Sequence, residues 1–523
     1  MNANESGIMG DLRDSTTGMT LAWLLAGIIA VFVSVLAVWW GGVNQDEGWY
    51  LYAARLVGEG KVPYRDFFFT QGPILPYIYS AMPIHGLLSG RLVTLLFSML
   101  SVFVAMAFAR RLVAKECRGA VSLAVFALLA CNLYHMYFTT IPKTYALGTL
   151  FVMLGFLLLS RGLNFLSAIS FAFASGTRIS LVLILGVVGV GLLVTRFRQL
   201  HWLWFGVGGL FGLFIVYGFF AIDQQSVKGL LAAQAYHAGR GGFDPFFAAG
   251  AVSRLARGYL AMGAVMFAAI ALVGRGVRAD GGPSCPVDFL WLRWVAGLSF
   301  AAVFLLQLSA PFPYDDYQVP LMPILAVLIA ASFVDRTKGL GSAMRFGFPV
   351  LVSGMCAFAS PLVQDWMTNG QDRFWSVKKV QSELSQMRDV ARRLERMDPG
   401  GKTLLTQDLY LAVEMERKVP EGLEMGPFSY FPNLSTAEAE SVKVMNTERM
   451  ERLLRSAPCG LAAFSGYGFA IEVPKGSETP KDVQERFRSM IEESYRKVES
   501  VPDFGQNHTK LDCYVLRDAA KQD

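Results

Sequence analysis

The sequence predicts an α-helical polytopic membrane protein followed by a smaller α/β domain outside the membrane. Hydrophobic residues occupy 53% of the 523 positions, charged residues occupy only 17%, and the mean hydropathy is +0.40. A water-soluble core cannot bury that much apolar surface, so lipid must surround most of the chain. After Pro361 the apolar runs give way to mixed, charged sequence. This change divides the chain into a membrane domain, 1–364, and a tail domain, 365–523, of a size that folds independently.

The membrane spans follow from the lengths of the apolar runs. A bilayer core is about 30 Å thick and requires roughly 20 apolar helical residues to cross it. Such runs occur at 20–40, 90–112, 119–137, 142–160, 163–176, 178–195, 202–222, 253–274, 289–310, 317–334 and 343–363. The run 163–176 is short for a full crossing, so we expect about eleven spans, to within one or two.

Lys and Arg in the short loops set the orientation, because they favour the cytoplasmic side. With the amino terminus inside, the basic loops around residues 110–118, 161, 196–198, 275–278 and 336–345 all fall inside. Segment 41–89, loop 223–252, turn 311–316 and the tail then lie outside. The first span is too long for a signal-peptide core and lacks a small-residue cleavage site, so it should remain attached. The sequence therefore predicts a multi-pass inner-membrane protein with an extracytoplasmic tail.

Charge and cysteine usage exclude several other classes of protein. The net charge of +6 arises in the inside loops, where anionic lipid headgroups account for it. No basic stripe interleaved with aromatic residues indicates nucleic-acid binding. The six cysteines show no CxxC or Cys/His spacing suited to zinc. Cys459 and Cys513 fall on predicted neighbouring strands of the external tail, where we expect either a disulfide or two buried free thiols.

The tail reads as alternating helices and strands. Apolar periodicity predicts helices at 374–397, 437–455 and 482–497, and strands at 402–406, 460–464 and 514–516. No glycine-rich nucleotide motif, P-loop or nucleophile elbow accompanies them. We expect this domain to cap a site at the membrane surface or to bind an acceptor.

The first outward segment contains an acidic pair. Asp46 and Glu47 open a predicted surface helix, 46–57, in a segment rich in Trp and Tyr. A helix amino terminus stabilises negative charge, so Asp46 should be ionised and able to accept a proton from a hydroxyl. The alternative is that Asn44, Asp46 and Glu47 only cap the helix.

Three motifs of this chain together resemble the family 39 glycosyltransferases of the GT-C fold, which include protein O-mannosyltransferases and the lipid A aminoarabinose transferase. They are Asp46-Glu47-Gly48-Trp49-Tyr50, Pro63-Tyr64-Arg65-Asp66 leading to Gln71-Gly72-Pro73-Ile74-Leu75-Pro76-Tyr77, and Tyr314-Asp315-Asp316-Tyr317-Gln318-Val319-Pro320-Leu321-Met322-Pro323. The resemblance covers the membrane domain and is weaker over the tail. It implies a GT-C-like domain that transfers a sugar, with inversion, from a polyprenyl-phosphate donor to a glycan, lipid or protein hydroxyl.

The resemblance also implies roles for the acidic residues. Asp46 would contact the acceptor hydroxyl as general base, with Glu47 in support. Aminoarabinose transferases carry Glu-Lys-Pro-Pro where this chain has Thr70-Gln71-Gly72-Pro73, which removes an acidic metal ligand and a cation. Asp66 then becomes the candidate acceptor-side or second carboxylate, although it could equally be a solvated charge beside Arg65. No cofactor follows from the motifs, and a divalent metal is possible.

A departing phosphate needs fixed cations and donors near it. The candidates on the outer face are Arg178, Lys143, Tyr236, His237 and Arg240. An arginine between two apolar runs is costly unless it lines a polar cavity or reaches the interface. The glycine-rich segment 236–242 could close over a phosphate or act only as a hinge.

Other residues are expected to line the same site. They are Tyr50 in the first loop and Tyr314, Asp315, Asp316 and Tyr317 at the outer mouth of a late span, where a simple turn is the alternative. A secondary transporter is the competing class of protein, and a non-catalytic scaffold is a third. Transporters often contain repeats and midplane charges, whereas here no repeat is found and the polar groups lie on one side. The sequence therefore favours a transferase.

Overall fold

The computed structural model describes residues 3–274, 287–367, 381–473 and 475–517. Its membrane part is helical, as predicted. The helices are α1 (Ala3–Val35), α2 (Gln45–Gly58), α3 (Ile74–Ser80), α4 (Leu87–Ala109), α5 (Arg118–Ala130), α6 (Leu133–Phe138), α7 (Thr144–Ser160), α8 (Asn164–Thr177), α9 (Val182–Arg196), α10 (His201–Ile222), α11 (Gln224–Ala238), α12 (Pro245–Gly258), α13 (Leu260–Gly274), α14 (Val287–Leu308), α15 (Met322–Arg336) and α16 (Phe348–Met367). A π-helical turn, Leu36–Trp40, extends α1, and a 3-10 helix, Asp315–Leu321, leads into α15.

Helices occupy all eleven predicted runs, but fewer are long enough to span a membrane. In the described part of the chain, six helices are long and apolar enough to cross, or seven if α12 and α13 form one span with a 78° bend. The expected count of about eleven is therefore not confirmed. The run 119–137 is divided at Asn132, whose side chain caps α6 by accepting a hydrogen bond from His135 N. The run 253–274 is divided where α12 meets α13.

The first loop begins at a capped helix. Asn44 Oδ1 accepts a hydrogen bond from Asp46 N at 3.0 Å, and the Glu47 carboxylate accepts one from Asn44 N at 2.8 Å. This capping box fixes the start of α2, which lies close to the predicted helix 46–57. It also places Asp46 in the first turn of α2, shortly after the π-helical turn Leu36–Trp40 that extends α1.

The tail is an α/β domain, as predicted. Its helices are α17 (Glu383–Met397), α18 (Leu409–Glu414), α19 (Thr436–Ser441), α20 (Thr447–Ser456) and α21 (Lys481–Ser494). Its strands are β1 (Leu461–Phe464), β2 (Ile471–Glu472), β3 (Ser477–Glu478), β4 (Tyr495–Phe504) and β5 (Thr509–Leu516). Strands β1, β5 and β4 form an antiparallel sheet in that order, and β2 pairs with β3.

Several predicted tail elements differ in detail. Segment 402–406 forms only isolated bridges to Lys418 and Ala462 instead of a strand, and the predicted helix 437–455 is divided between α19 and α20. The predicted helix 482–497 ends at Ser494, because Tyr495 opens β4, a strand that the sequence analysis missed. The first part of the predicted helix 374–397 lies outside the described residues.

Cys459 and Cys513 are both buried free thiols, so the disulfide alternative is wrong. The strand register explains the separation, because Cys513 pairs with Ala463, four residues beyond Cys459. At about 3.3 Å per residue along a strand, the two Cα atoms are roughly 13 Å apart. A disulfide requires Cα atoms closer than about 7 Å.

The tail packs directly on the first loop. Tyr52 of α2 accepts a hydrogen bond from Val419 N at 2.9 Å, and Glu59 pairs with Lys418 at 2.7 Å. Gly48 lies so close to the backbone of Leu409 and Tyr410 that an added Cβ would clash with it. The first loop and the tail therefore share one side of the membrane domain.

Candidate active site

A cavity of about 690 Å³ lies where the first loop, the tail and the ends of the membrane helices nearest the tail meet. Most of the site residues expected from the sequence line it. They are Asp46, Tyr50, Lys143, Arg178, Tyr236, His237, Arg240, Tyr314, Asp316 and Tyr317. Three others, Glu47, Asp66 and Asp315, are not among the lining residues.

Asp46 and Asp316 share one ammonium group. Lys143 Nζ lies 2.8 Å from Asp46 Oδ2 and 2.9 Å from Asp316 Oδ2. Tyr145 also donates its hydroxyl to Asp316 Oδ2, at 2.9 Å. Lys143 caps the start of α7 and is 7% exposed, whereas the Asp46 side chain is 28% exposed toward the cavity. Lys143 therefore holds two carboxylates in place.

Arg178 and Arg240 both contact Tyr317. The Arg178 guanidinium lies 4.1 Å from the Tyr317 ring centroid, and Arg240 hydrogen-bonds with the Tyr317 side chain. Within the described ranges, neither guanidinium forms an ion pair with a carboxylate. Arg240 Nε is also buried without a hydrogen-bond partner. This wall of the cavity therefore carries two positive charges available to an anion.

His237 contributes no fixed positive charge. Its Nε2–H donates to the Thr70 carbonyl at 2.8 Å, and burial lowers the pKa of the imidazole. A neutral ring with Nε2 protonated leaves Nδ1 as an acceptor. Beside it, Tyr236 is buried and lies under the Arg240 guanidinium, with 5.3 Å from guanidinium carbon to ring centroid. His237, expected among the phosphate-binding residues, therefore lines the cavity as a hydrogen-bonding group, and Tyr236 lies next to Arg240.

Glu47 points away from the cavity into a buried ion pair. Arg91 of α4 donates to both Glu47 oxygens at 2.7 Å, and both side chains are 0% exposed. With Asn44 N donating to the same carboxylate, Glu47 has no exposed oxygen to offer a substrate. The structure therefore gives Glu47 a positioning role at the start of α2, not direct contact with a reacting group.

Asp66 and Asp315 also have partners outside the cavity. Asp66 accepts hydrogen bonds from Arg65 and from Val62 N. Partial burial raises the pKa of its carboxyl, but these hydrogen bonds outweigh burial and hold the pKa below its usual value. Asp315 pairs with Arg254 at 2.8 Å and accepts the Tyr134 hydroxyl, which ties α12 to the 3-10 helix before α15.

One wall of the cavity reaches the lipid-facing surface. Ile179 and Val182, at the start of α9, and Leu306 and Ala310, at the end of α14, line it with apolar groups. Ile179 is 49% exposed and Leu306 is 47% exposed. Both belong to helical segments long and apolar enough to span a membrane, so this wall of the cavity is apolar and partly exposed.

Comparison with known proteins decides the fold. No family profile and no curated protein sequence matches the chain. ArnT from Cupriavidus metallidurans, solved bound to undecaprenyl phosphate, aligns with a TM-score of 0.53 and 13% identity, covering 94% of this chain and 97% of ArnT. The apo form of the same protein also aligns at 0.53, with 14% identity over 94% and 98% of the two chains. An oligosaccharyltransferase from Archaeoglobus fulgidus aligns at 0.46, with 11% identity over 95% and 74%.

The chain has the GT-C fold. The resemblance seen in the sequence motifs is thereby confirmed at the level of fold. The alignment covers the tail as well as the membrane part, so the GT-C fold here includes the α/β domain, over which the sequence resemblance was weaker.

The GT-C cavity also contains residues that the sequence analysis missed. From the first loop and the membrane helices come Gln45, Trp49, Tyr145, Gln234 and Gln307, and from the tail come Met425, Phe428, Tyr467 and Gln506. Tyr145 follows Lys143 closely in the sequence and could have been found with it. The tail residues lie in irregular loops without a motif, and no signal in the sequence pointed to them.

The next question is whether the acidic residues of this cavity are arranged to hold a metal ion. Among the described residues, no group of three or more His, Cys, Asp or Glu side chains is arranged to hold a metal. The two carboxylates that do converge, Asp46 and Asp316, are bridged by the Lys143 ammonium. That ammonium supplies the positive charge between them.

Proposed function

We propose that this chain is an inverting glycosyltransferase. It moves a sugar from a polyprenyl phosphate to an acceptor hydroxyl on the outer face of the cytoplasmic membrane, with the tail on that same outer side. One observation supports this most strongly: a carboxylate and two unpaired guanidinium groups meet in a cavity that has an apolar, partly exposed wall at the ends of membrane-spanning helices. The GT-C neighbour ArnT was solved with undecaprenyl phosphate, a ligand of the same chemical class.

On the acceptor side, Asp46 serves as general base. Its Oδ1 accepts a hydrogen bond from Trp49 Nε1 at 3.2 Å and its Oδ2 accepts from Lys143, so the carboxylate is held in one orientation. Each carboxylate oxygen has a further lone pair for an incoming hydroxyl. As the hydroxyl oxygen attacks the anomeric carbon, its proton passes to Asp46. The bond from that carbon to the phosphate oxygen breaks on the opposite face, which inverts the configuration.

On the donor side, Arg178 and Arg240 stabilise the phosphate as it leaves. Negative charge grows on that phosphate when the bond breaks, and preorganised cations in a water-poor site stabilise such charge. Lys143, Arg178 and Arg240 carry three positive charges against two negative charges on Asp46 and Asp316. The surplus of one positive charge matches a phosphodiester donor.

Lys143 is assigned a different role from the one expected from the sequence. Its ammonium is paired with both Asp46 and Asp316, so we assign it to orienting the base instead of binding the phosphate. Tyr236 and the neutral His237 shape the donor side without adding charge.

Two substitutions separate the acceptor and donor roles. Asp46→Asn should reduce turnover by about 100- to 10,000-fold, the usual cost of losing a general base, while leaving donor affinity nearly unchanged. Arg178→Ala should weaken donor binding as well as turnover, because it removes charge from the phosphate in both ground and transition states. The experiment measures turnover with a purified polyprenyl-phosphate donor and donor binding for each variant. A loss of turnover alone indicates the acceptor role, and a loss of both indicates the donor role.

Two controls complete this experiment. Asp389→Asn removes an exposed tail carboxylate and should leave both measurements unchanged. Asp66→Asn tests the second carboxylate directly, and a loss of turnover there would return Asp66 to the site. Near wild-type turnover by Asp46→Asn would refute the assigned base. Movement of the donor across the membrane without any transferred sugar would favour the transporter alternative.

A further inference from the structure

The tail closes the cavity on the side of Asp46. Tyr467, in the loop after β1, and Gln506, in the turn between β4 and β5, both line it, together with Met425 and Phe428. Gln506 Oε1 accepts a hydrogen bond from Gln45 N at 2.7 Å. This bond holds the β4–β5 turn of the tail against the residue that precedes Asp46.

Two buried carboxamides in the cavity have an unsatisfied polar atom. Gln45 is 5% exposed, and its Nε2 has no hydrogen-bond partner among the described residues. On the other wall, Gln307 is 4% exposed and donates to Ser180, but its Oε1 has no partner in the described part of the chain. A buried polar atom left unsatisfied costs about 1–3 kcal/mol. Such atoms in a native cavity point to a ligand that satisfies them.

The acceptor side of the cavity is polar but carries little charge. The described tail residues that line it, Met425, Phe428, Tyr467 and Gln506, are all uncharged. The two unpaired guanidinium groups, Arg178 and Arg240, lie together around Tyr317 on the wall assigned to the donor phosphate. Arg240 also acts on Tyr467, and Lys143 beside Asp46 is paired with both Asp46 and Asp316. An acceptor bearing its own phosphate would therefore have to share the two guanidinium groups with the donor phosphate.

Carboxamides and aromatic rings suit one class of acceptor. A sugar ring presents hydroxyls that both donate and accept, and an amide side chain offers both functions. Its C–H face packs on aromatic surfaces such as Tyr467 and Trp49. Burial and the nearby Asp46 charge raise the pKa of Tyr467, so its hydroxyl remains a donor at neutral pH.

We propose that the acceptor is an uncharged sugar residue of a glycan, bound between the first loop and the tail. In this subsite Gln45, Gln506 and Tyr467 fix the acceptor hydroxyl beside Asp46. The inference rests on the proposed glycosyl transfer and names its acceptor class. It makes the tail the part of the chain that selects the acceptor, whereas the membrane helices hold the donor.

The first test identifies the group that receives the sugar. Purified wild-type protein is added to membranes from cells lacking the chain, whose polyprenyl-phosphate sugars have been radiolabelled through nucleotide sugars. Linkage analysis of the labelled product then finds the atom that carries the new bond. We expect a hydroxyl of an uncharged sugar. A bond to Ser or Thr of a protein, to a phosphate, or to a charged sugar would overturn the inference while leaving glycosyl transfer intact. If no sugar is transferred at all, the proposed function itself fails.

The second test measures the subsite residues with that acceptor. Gln506→Ala and Tyr467→Phe should each raise the acceptor KM by about 2- to 10-fold, because one hydrogen bond contributes about 0.5–1.5 kcal/mol. Donor affinity should not change in either variant. Gln484→Ala is the matched control, since its amide donates to Thr479 O in the same domain and does not line the cavity.

The outcomes of the second test are distinct. An acceptor KM that rises equally in Gln506→Ala and in the Gln484→Ala control would assign the effect to tail stability and overturn the subsite. Unchanged acceptor KM in both Gln506→Ala and Tyr467→Phe would also overturn it. Tyr467→Phe keeps the ring, so a change there reports on the hydroxyl and not on packing.

Discussion

The buried pair between Arg91 and Glu47 allows the sharpest test of how the first loop is held. The Arg91 guanidinium makes five hydrogen bonds, all to the connection between α1 and α2. Two go to Glu47 at 2.7 Å, and three go to the carbonyls of Val38, Gly41 and Gly42 at 2.9–3.1 Å. Arg91→Met therefore leaves the buried Glu47 carboxylate without its cation and the Val38 and Gly41 carbonyls without their Arg91 donor, whereas the Gly42 carbonyl keeps the Tyr137 hydroxyl.

The expected cost of Arg91→Met is large. Removing one partner of a buried ion pair costs about 3–5 kcal/mol, and the unpaired carbonyls add to this unless the loop rearranges. Replacing both partners, as in Glu47→Leu with Arg91→Met, removes the unpaired charge and should recover part of the loss. Glu47→Gln keeps an acceptor for Arg91 but removes the charge, so it should fall between the wild type and Arg91→Met.

Thermal unfolding in detergent, followed by tryptophan fluorescence, measures these changes as shifts in the apparent Tm. Lys338→Met provides the control, because Lys338 pairs with Glu116 at 2.7 Å on the surface, where a pair contributes at most about 1 kcal/mol. An Arg91→Met variant whose apparent Tm equals that of the Lys338→Met control would refute the reasoning. Glu47→Gln also tests the expected catalytic support, since a full loss of turnover at an unchanged Tm would show that Glu47 acts on the substrate.

Three further predictions concern the tail. Burial raises the pKa of Glu424 from 4.5 to about 7, so its contribution to stability is present below pH 4.5 and is lost as pH rises through 7. Glu424→Gln should flatten the dependence of Tm on pH across that window, and an unchanged slope would contradict this. Cys459 and Cys513 should both be alkylated in the unfolded, unreduced protein, and a mass that shifts only after reduction would contradict it. Lys61→Cys and Ser435→Cys should react with an impermeant maleimide from the same side of the membrane. Labelling of the two cysteines from opposite sides would exclude the packing of the tail on the first loop.

Local features of the site could be predicted from the sequence because they depend on neighbouring residues. Asn44 and Glu47 form a capping box, whose spacing is visible in the chain, and this fixes Asp46 at the start of α2. Arg178 between apolar runs had to reach either a polar cavity or the interface, and it lines the cavity. Both predictions follow from rules that operate within one or two turns of helix.

Long-range partners could not be predicted in the same way. Lys143 and Asp316 are separated by 173 positions, and nothing near Lys143 in the sequence marks the carboxylates that occupy its ammonium. Arg91 reads as an ordinary residue of an apolar span, so the partner of Glu47 was missed. The bend between α12 and α13 was also missed, although Arg254 and Arg257 precede the break and Gly258 ends α12.

The cavity is complete only when the tail packs on the membrane domain, because each part supplies different side chains to it. In the proposed mechanism the first loop supplies the base. Lys143 and Arg178 lie at the ends of α7 and α8, and Arg240 lies in the loop after α11. Neither the first loop nor these helices close the space beside Asp46, which is completed by Gln506 and Tyr467 of the tail. A base exposed to bulk water would pass the sugar to water, because water also presents a hydroxyl at high concentration. In the proposed mechanism, a tail that packs on the first loop would therefore keep water away from Asp46, and its uncharged side chains would select the hydroxyl that takes the place of water.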